Sequence, residues 1–207
     1  MSFIVKNTTF LNPLDLIAPH TCRGCGELGS VLCERCKNYI KTSQKLNAPI
    51  ITIGRRKGIL EILIHDLKYN SVRAAAVPLA ELIADAMPAL KGKVVIVPLP
   101  TISRHVRARG LDHTKLVAKH LAKIKGYKVS QLLIRNKNTV QVGSDRKTRL
   151  AQAKTAYALK NGARINPSTT YILLDDVWTT GASMRAAKAV LKKAGAKNII
   201  ITVLSIS

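Results

Sequence analysis

Residues 171–183 read YILLDDVWTTGAS, and the fold turns on how this stretch is built. Its first four residues are apolar, as in a short strand buried on both faces of a parallel sheet, where charge has no room along the length. The charges come next. Asp175 and Asp176 are therefore expected where the strand leaves the sheet, the edge at which open α/β folds gather ligands. After Val177, the residues Thr179, Thr180, Gly181, Ala182 and Ser183 form a small, hydroxyl-rich turn that runs into a helical pattern. Free N–H groups at a helix N-terminus, together with its dipole, suit an anion such as phosphate. Two carboxylates would repel that phosphate, so their use is to accept hydrogen bonds from a neighbouring diol.

A diol beside a phosphate describes a ribose 5-phosphate. The succession of apolar strand, two acids, Thr-Thr-Gly and a small hydroxyl residue resembles the phosphoribosyl diphosphate (PRPP) signature of type I phosphoribosyltransferases. The resemblance implies that Asp175 and Asp176 bind the ribose hydroxyls, and that Val177, Thr179, Thr180, Gly181, Ala182 and Ser183 wrap the 5-phosphate. Both acids are then the catalytic candidates, with Asp176 the choice for acid–base work. The plain alternative is a Thr/Gly helix cap after a core strand, with two solvated carboxylates.

A length of 207 residues with 47% apolar content allows one domain and a small appendage. No run approaches the ~18 consecutive apolar residues that a membrane span needs. The opening MSFIVKNTTF lacks the charged start, apolar core and cleavage site of a secretory signal, so a cytoplasmic location is expected. Lys and Arg number 34 against 11 acids, and the excess is uneven: residues 101–170 hold sixteen bases and two acids. A block this lopsided attracts polyanions, nucleic acid being the commonest, although a solvated basic surface would look the same.

Residues 22–36 read CRGCGELGSVLCERC and place Cys22, Cys25, Cys33 and Cys36 in two C-x2-C knuckles. Four thiolates close a tetrahedral Zn²⁺ site and leave no position open for chemistry, so one structural zinc is expected here. Paired knuckles in a cytosolic chain favour metal over disulfides, with a dithiol redox pair as the alternative.

Beyond the knuckles, a short strand at 50–53 precedes the segment ILEILIHDLKY, whose Ile59, Leu60, Leu63, Ile64 and Leu67 form a helical stripe. A second helix is expected over 72–87, with Pro78 a kink or a fresh start. KVVIV at 93–97 reads as a central strand. It ends in Pro98, Leu99 and Pro100, after which Arg104, Arg107 and Arg109 gather on the same sheet edge as the acids, where planar guanidinium forks suit a diphosphate. Residues 112–125 form an amphipathic helix with Asp112 as N-cap. Leu116, His120, Leu121 and Ile124 are expected to face inward, and Lys115, Lys119 and Lys123 form a basic stripe, the nucleic-acid candidate. His113 and His120 have no ligand-spaced partner and receive no role. A strand at 129–134, a polar loop at 135–148, a helix at 149–159 and a last buried strand at 198–206 complete the pattern.

Taken in order, these landmarks are similar to the ComF family, whose members join an N-terminal four-cysteine zinc module to a phosphoribosyltransferase-like domain. The likeness rests on the knuckles, on IHDLKY with Lys68 and Tyr69 at its end, on Pro98-Leu99-Pro100 with Arg104 and Arg109-Gly110, on Gln141 with Arg149, and on the Asp175 to Ser183 signature. It implies an open, mainly parallel sheet flanked by helices, with a zinc module over 1–45 and the α/β domain over 46–207. It also implies PRPP bound with Mg²⁺. Lys68, Leu99, Pro100, Arg104, Arg107 and Arg109 would lie on the diphosphate side, and Gln141, Arg146 and Arg149 on a mobile loop over the site. The family is associated with DNA uptake in natural transformation, which fits contact with single-stranded DNA. Other readings are an active phosphoribosyltransferase without DNA contact and a zinc module docking on a helicase. Where the family usually has an aromatic, Asn and Gln after Arg-Gly, this chain has Leu111, Asp112 and His113, and Gln152 replaces the usual Asn. Both changes put the acceptor in question more than phosphoribose binding.

Overall fold

The structure is a computed structural model and describes residues 20–43, 50–102, 106–107, 110–136 and 156–207. Its strands are β1 (Ile51–Arg55), β2 (Val94–Pro98), β3 (Lys128–Val129), β4 (Leu133–Arg135), β5 (Tyr157–Leu159), β6 (Thr170–Trp178) and β7 (Asn198–Ile206). Five of them form one parallel sheet in the order β1-β7-β6-β2-β3, while β4 and β5 pair antiparallel by themselves. The helices are α1 (Glu34–Ser43), α2 (Gly58–Tyr69), α3 (Ala76–Ala86), α4 (His113–Lys125) and α5 (Ala182–Lys193). The expected architecture, a mainly parallel sheet flanked by helices, is the observed one.

Strand residues alternate between faces, and here the alternation sorts the core into two layers. Val94, Ile96, Ile172, Leu174 and Leu204 pack with α2, α3 and α4. Val95, Val97, Tyr171, Leu173 and Val203 pack with α5 and with Leu133 and Tyr157 of the small antiparallel pair. With β6 at the centre and both of its faces covered, its first residues must be apolar, as the sequence indicates.

The cysteine segment joins the first layer. Val31, Leu32 and Ile40 are buried in the same cluster as α2 and α3, and α1 sets Lys37 against Glu81 at 2.6 Å and Lys41 against Asp85 at 2.5 Å. Full burial of one Ile contributes about 1.5–3 kcal/mol. A surface ion pair contributes about 0–1 kcal/mol, so packing holds the segment in place more than charge does.

Several local expectations are corrected. The 129–134 strand is two strands: Ser130 N–H donates to the Ile96 carbonyl at 2.9 Å, the chain then leaves the main sheet, and Leu133–Arg135 finds a different partner. That partner is Tyr157–Leu159, where the sequence suggests helix, because cross-strand pairing outweighs a short local periodicity. The 72–87 helix begins as a 3₁₀ turn at Arg73–Ala75, and α3 starts afresh at Ala76 with Pro78 in its first turn. On α4 the inward face is His113, Thr114, Val117, Ala118, Leu121 and Ala122, and Ile124 is 47% exposed. Small Ala118 and Ala122 fit this helix into the core along a stripe turned from the one Leu116 and Ile124 would mark.

Candidate functional site

β2 and β6 run parallel, so both end on one edge of the sheet. Their lengths differ: the last β2 pairing is Pro98 with Leu174, whereas β6 continues beside β7 as far as Trp178. The acids therefore do not mark the end of the strand, as the sequence suggests. They lie inside β6, one step past the point where β2 has stopped, and the missing neighbour opens the space in front of them.

Strand alternation then separates the pair. Asp175 continues the parity of Tyr171 and Leu173 and is in register with Val203, on the α5 side. Asp176 continues the parity of Ile172 and Leu174 and faces α2 and α4. There it is buried, with Lys68 Nζ 2.6 Å and His113 Nε2 2.9 Å from the same oxygen, Oδ2. Burial works to raise the Asp176 carboxyl, but the His113 hydrogen bond and the Lys68 charge outweigh it and hold it well below the usual carboxylate range. Asp175 moves the other way: burial and the adjacent Asp176 carboxylate push it up to about 7, against a hydrogen bond from the Asp176 N–H to its Oδ1 at 2.9 Å. Neighbouring carboxylates thus have opposite proton affinities because each faces a different layer.

The Asp175 side holds two residues that receive no role from sequence. Tyr157 is buried, receives a hydrogen bond from Arg135 Nη1 at 3.1 Å, and bonds Ser183. Burial raises its phenol, partly offset by Arg135 and Ser183. His113 is the third such residue. No local spacing announces it, since its partner lies 63 positions away.

The turn after β6 is built as expected. Thr179 and Thr180 are exposed, Thr180 Oγ1 accepts from the Ala182 N–H at 3.4 Å, and Gly181 has φ +70°, the left-handed region. A Cβ at Gly181 would also stand 2.2 Å from the Trp178 ring, so glycine is required twice over. The α5 helix starts at Ala182 with Ser183 exposed beside it.

On the β2 side, a cavity of about 290 Å³ is lined by Leu99, Pro100, Arg107, Asp112, Gln131 and Leu133 among others. Leu99, Pro100 and Arg107 thus share one cleft, and Lys68 lies apart from them, on Asp176. Arg104, Arg109, Gln141, Arg146 and Arg149 lie outside the described residues. Along α4, Lys119 and Lys123 are exposed, and Lys115 Nζ is 3.3 Å from Gln131 Oε1.

The cysteines converge as the knuckles suggest. Sulfurs of Cys22, Cys25, Cys33 and Cys36 lie within 4.8 Å of one another. Metal–sulfur bonds of about 2.3 Å in a tetrahedron set sulfur separations of about 3.8 Å, so the set fits a metal ion such as zinc. Cys22 Sγ accepts the Gly24 and Cys33 N–H groups, both at 3.4 Å. Burial raises the Cys22 thiol, but backbone N–H groups of Cys33, Cys25 and Gly24 outweigh it and bring it down to about 6, while burial and the other three sulfurs push Cys36 up to about 12. Four crowded thiols cannot all ionise alone, which a cation would reverse. A Cβ at Gly24 would stand 2.6 Å from Cys36 Sγ and 2.7 Å from the Ile59 side chain, so this glycine lets the knuckle close against α2.

No family model matches the chain. Competence protein F of Haemophilus influenzae is 27% identical over 186 residues, covering 84% of this chain and 81% of that protein. This chain is similar to competence protein F. Solved structures with a similar course include a Bacillus subtilis glutamine PRPP amidotransferase, at 18% identity, TM-score 0.45, 64% of this chain and 26% of that one. An adenine phosphoribosyltransferase matches at 14% identity and TM-score 0.42, over 83% of this chain and 89% of that enzyme. The chain spans about a quarter of the amidotransferase's length. Among the described residues, no helix is long and apolar enough to cross a membrane.

Proposed function

We propose that the chain binds PRPP, or another phosphoribosyl ligand, across the C-terminal ends of β2 and β6. One observation carries the reading: Asp175 and Asp176 stand on β6 beyond the last β2 pairing, two residues before the Thr-Thr-Gly turn that opens α5. Asp176 is a fixed anion that accepts from one ribose hydroxyl, and Asp175 accepts from the other once deprotonated. Thr179 to Ser183 take the 5-phosphate through backbone N–H groups and hydroxyls at the start of α5. The diphosphate lies toward Leu99, Pro100 and Arg107, with Arg104 and Arg109 joining them and Gln141, Arg146 and Arg149 closing over the ligand. A magnesium ion bound with the ligand would be held by ligand oxygens and water and would supply charge neutralisation for the diphosphate.

Where the site turns over, the bond from the anomeric carbon to the diphosphate oxygen breaks as an acceptor atom bonds to that carbon. The acid–base role, read from sequence as that of Asp176, passes to Asp175, because the Asp175 carboxyl is held at about 7 while His113 and Lys68 hold Asp176 ionised and unable to take the acceptor's proton near neutral pH. Calorimetric titration of metal-loaded protein with PRPP and Mg²⁺ tests binding, and absence of heat removes the reading. Release of diphosphate in the presence of pooled nucleobases tests turnover separately.

The likeness to competence protein F supports a role in DNA uptake, with single-stranded DNA lying along Lys119 and Lys123 and reaching Lys115, and with the four-cysteine module offered to a helicase-type partner. Single-stranded DNA binding that falls with salt supports this arm, and a flat salt response removes it.

A further inference from the structure

We propose that His113 is a positioning residue which, together with Lys68, locks Asp176 so that its Oδ1 alone is presented to a ligand hydroxyl. The proposal deepens the phosphoribosyl reading and rests on it for the identity of the ligand. Its physical core is independent of any ligand.

The placement begins with the chain. Asp112 caps α4, its Oδ1 accepting the Lys115 N–H at 3.1 Å, which makes His113 the first residue of the helix and fixes its backbone. The ring is turned inward and only 4% of the residue is exposed. Its Nε2 meets Asp176 Oδ2, and Lys68 from the end of α2 reaches the same oxygen from a different helix. A carboxylate oxygen held by two donors from two packed helices cannot swing away. His113 and Lys68 both meet Oδ2, so neither occupies Oδ1, which we assign to a hydroxyl in front of the strand.

The other ring nitrogen identifies what the imidazole is for. His113 Nδ1 is buried and has no hydrogen-bond partner among the described residues. Buried polar atoms left unpaired are rare and costly, and an apolar side chain would fill this space without one. The contact that an imidazole adds here is the one to Asp176. Nor can Nδ1 act as a base toward a ligand, since it is shut away from the cleft. The charged and titratable groups around the contact are Lys68 from α2, Asp112 preceding the ring on the chain, and Asp175 beside Asp176 on β6.

The test follows the Asp176 carboxyl by ¹³C NMR in metal-loaded, ligand-free protein. His113→Phe keeps the volume and removes the donor, whereas His113→Gln keeps an N–H donor on a side chain of similar reach. The Asp176 titration moves upward toward the ordinary carboxylate range in His113→Phe and returns most of the way in His113→Gln. An unchanged titration in His113→Phe, or no recovery with Gln, overturns the proposal. Loss of one hydrogen bond to a charged group weakens PRPP binding by at least about tenfold in the Phe variant, while the Gln variant stays within about threefold. If the native protein binds no PRPP at all, the phosphoribosyl reading fails, and the NMR arm still decides the role of His113. His113→Ala serves as a second variant should the larger Phe ring disturb folding.

Discussion

The four-cysteine cluster and the two-acid site obey opposite rules of assembly. All four thiols come from residues 22–36, so their convergence is nearly a property of the local chain. The acid site draws on α2, α4, the β4–β5 pair and β6, and its partners stand as far apart along the chain as Lys68 and Asp176. The first site is a cluster of thiols close enough to share one metal ion; the second is an edge where carboxylates are tuned by what packs behind them. A physical link joins them. Arg23 in the first knuckle pairs with Asp66 on α2, two residues before the Lys68 that reaches Asp176. Burial acts to raise the Asp66 carboxyl, but Arg23 and Asn70 outweigh it and hold it low.

The comparison breaks most visibly at the cage. Stripping the metal with a chelator, or replacing Cys36 with Ser, should cost several kcal/mol of stability, because structural metal binding is folding free energy and Ile40 and Leu32 leave the core with the knuckles. Thermal unfolding with and without metal measures it; an unchanged midpoint would mean that packing alone closes the cage. At the acid edge, Asp175→Asn combined with Asp176→Asn should weaken PRPP and Mg²⁺ binding by about a hundredfold or more, since each loses a charged acceptor. Calorimetry reads the affinity, while the knuckles keep their metal. If metal content falls as well, the two sites are not separable.

Gly181→Ala should follow, with a loss of about 2 kcal/mol or more, from the left-handed backbone together with the collision against Trp178. Denaturant unfolding measures it. A smaller effect concerns pH. The folded Asp175 carboxyl is raised from 3.8 to about 7, so its contribution to stability is present in full below 3.8 and disappears as pH rises through 7. Stability measured from pH 4 to 8 should show this decline in the native chain and lose it in Asp175→Asn. The proposed binding mode needs Asp175 ionised, so PRPP affinity should rise about fivefold from pH 6 to 7 and be flat in that variant. The weakest effect is expected on α4, where Lys119→Gln and Lys123→Gln should each reduce the salt slope of single-stranded DNA binding by about 0.7.

The amino-acid sequence was sufficient for whatever depends on neighbours along the chain. Paired knuckles announced the cysteine cluster, apolar runs announced β2, β6 and β7, and the Thr-Thr-Gly-Ala-Ser run announced the turn into α5, because strand burial, turn geometry and the approach of neighbouring thiols are short-range demands. Tertiary structure decided the rest. It determined that β6 outruns β2, that Asp175 and Asp176 look into different layers, and that His113, Lys68, Arg135 and Tyr157 are the groups behind them. Period-two alternation predicts that adjacent acids point apart, but which helix waits on each side depends on crossovers that bring distant segments together. A carboxylate's proton affinity is set by burial and by charges a few ångströms away, and those distances exist only in the folded chain.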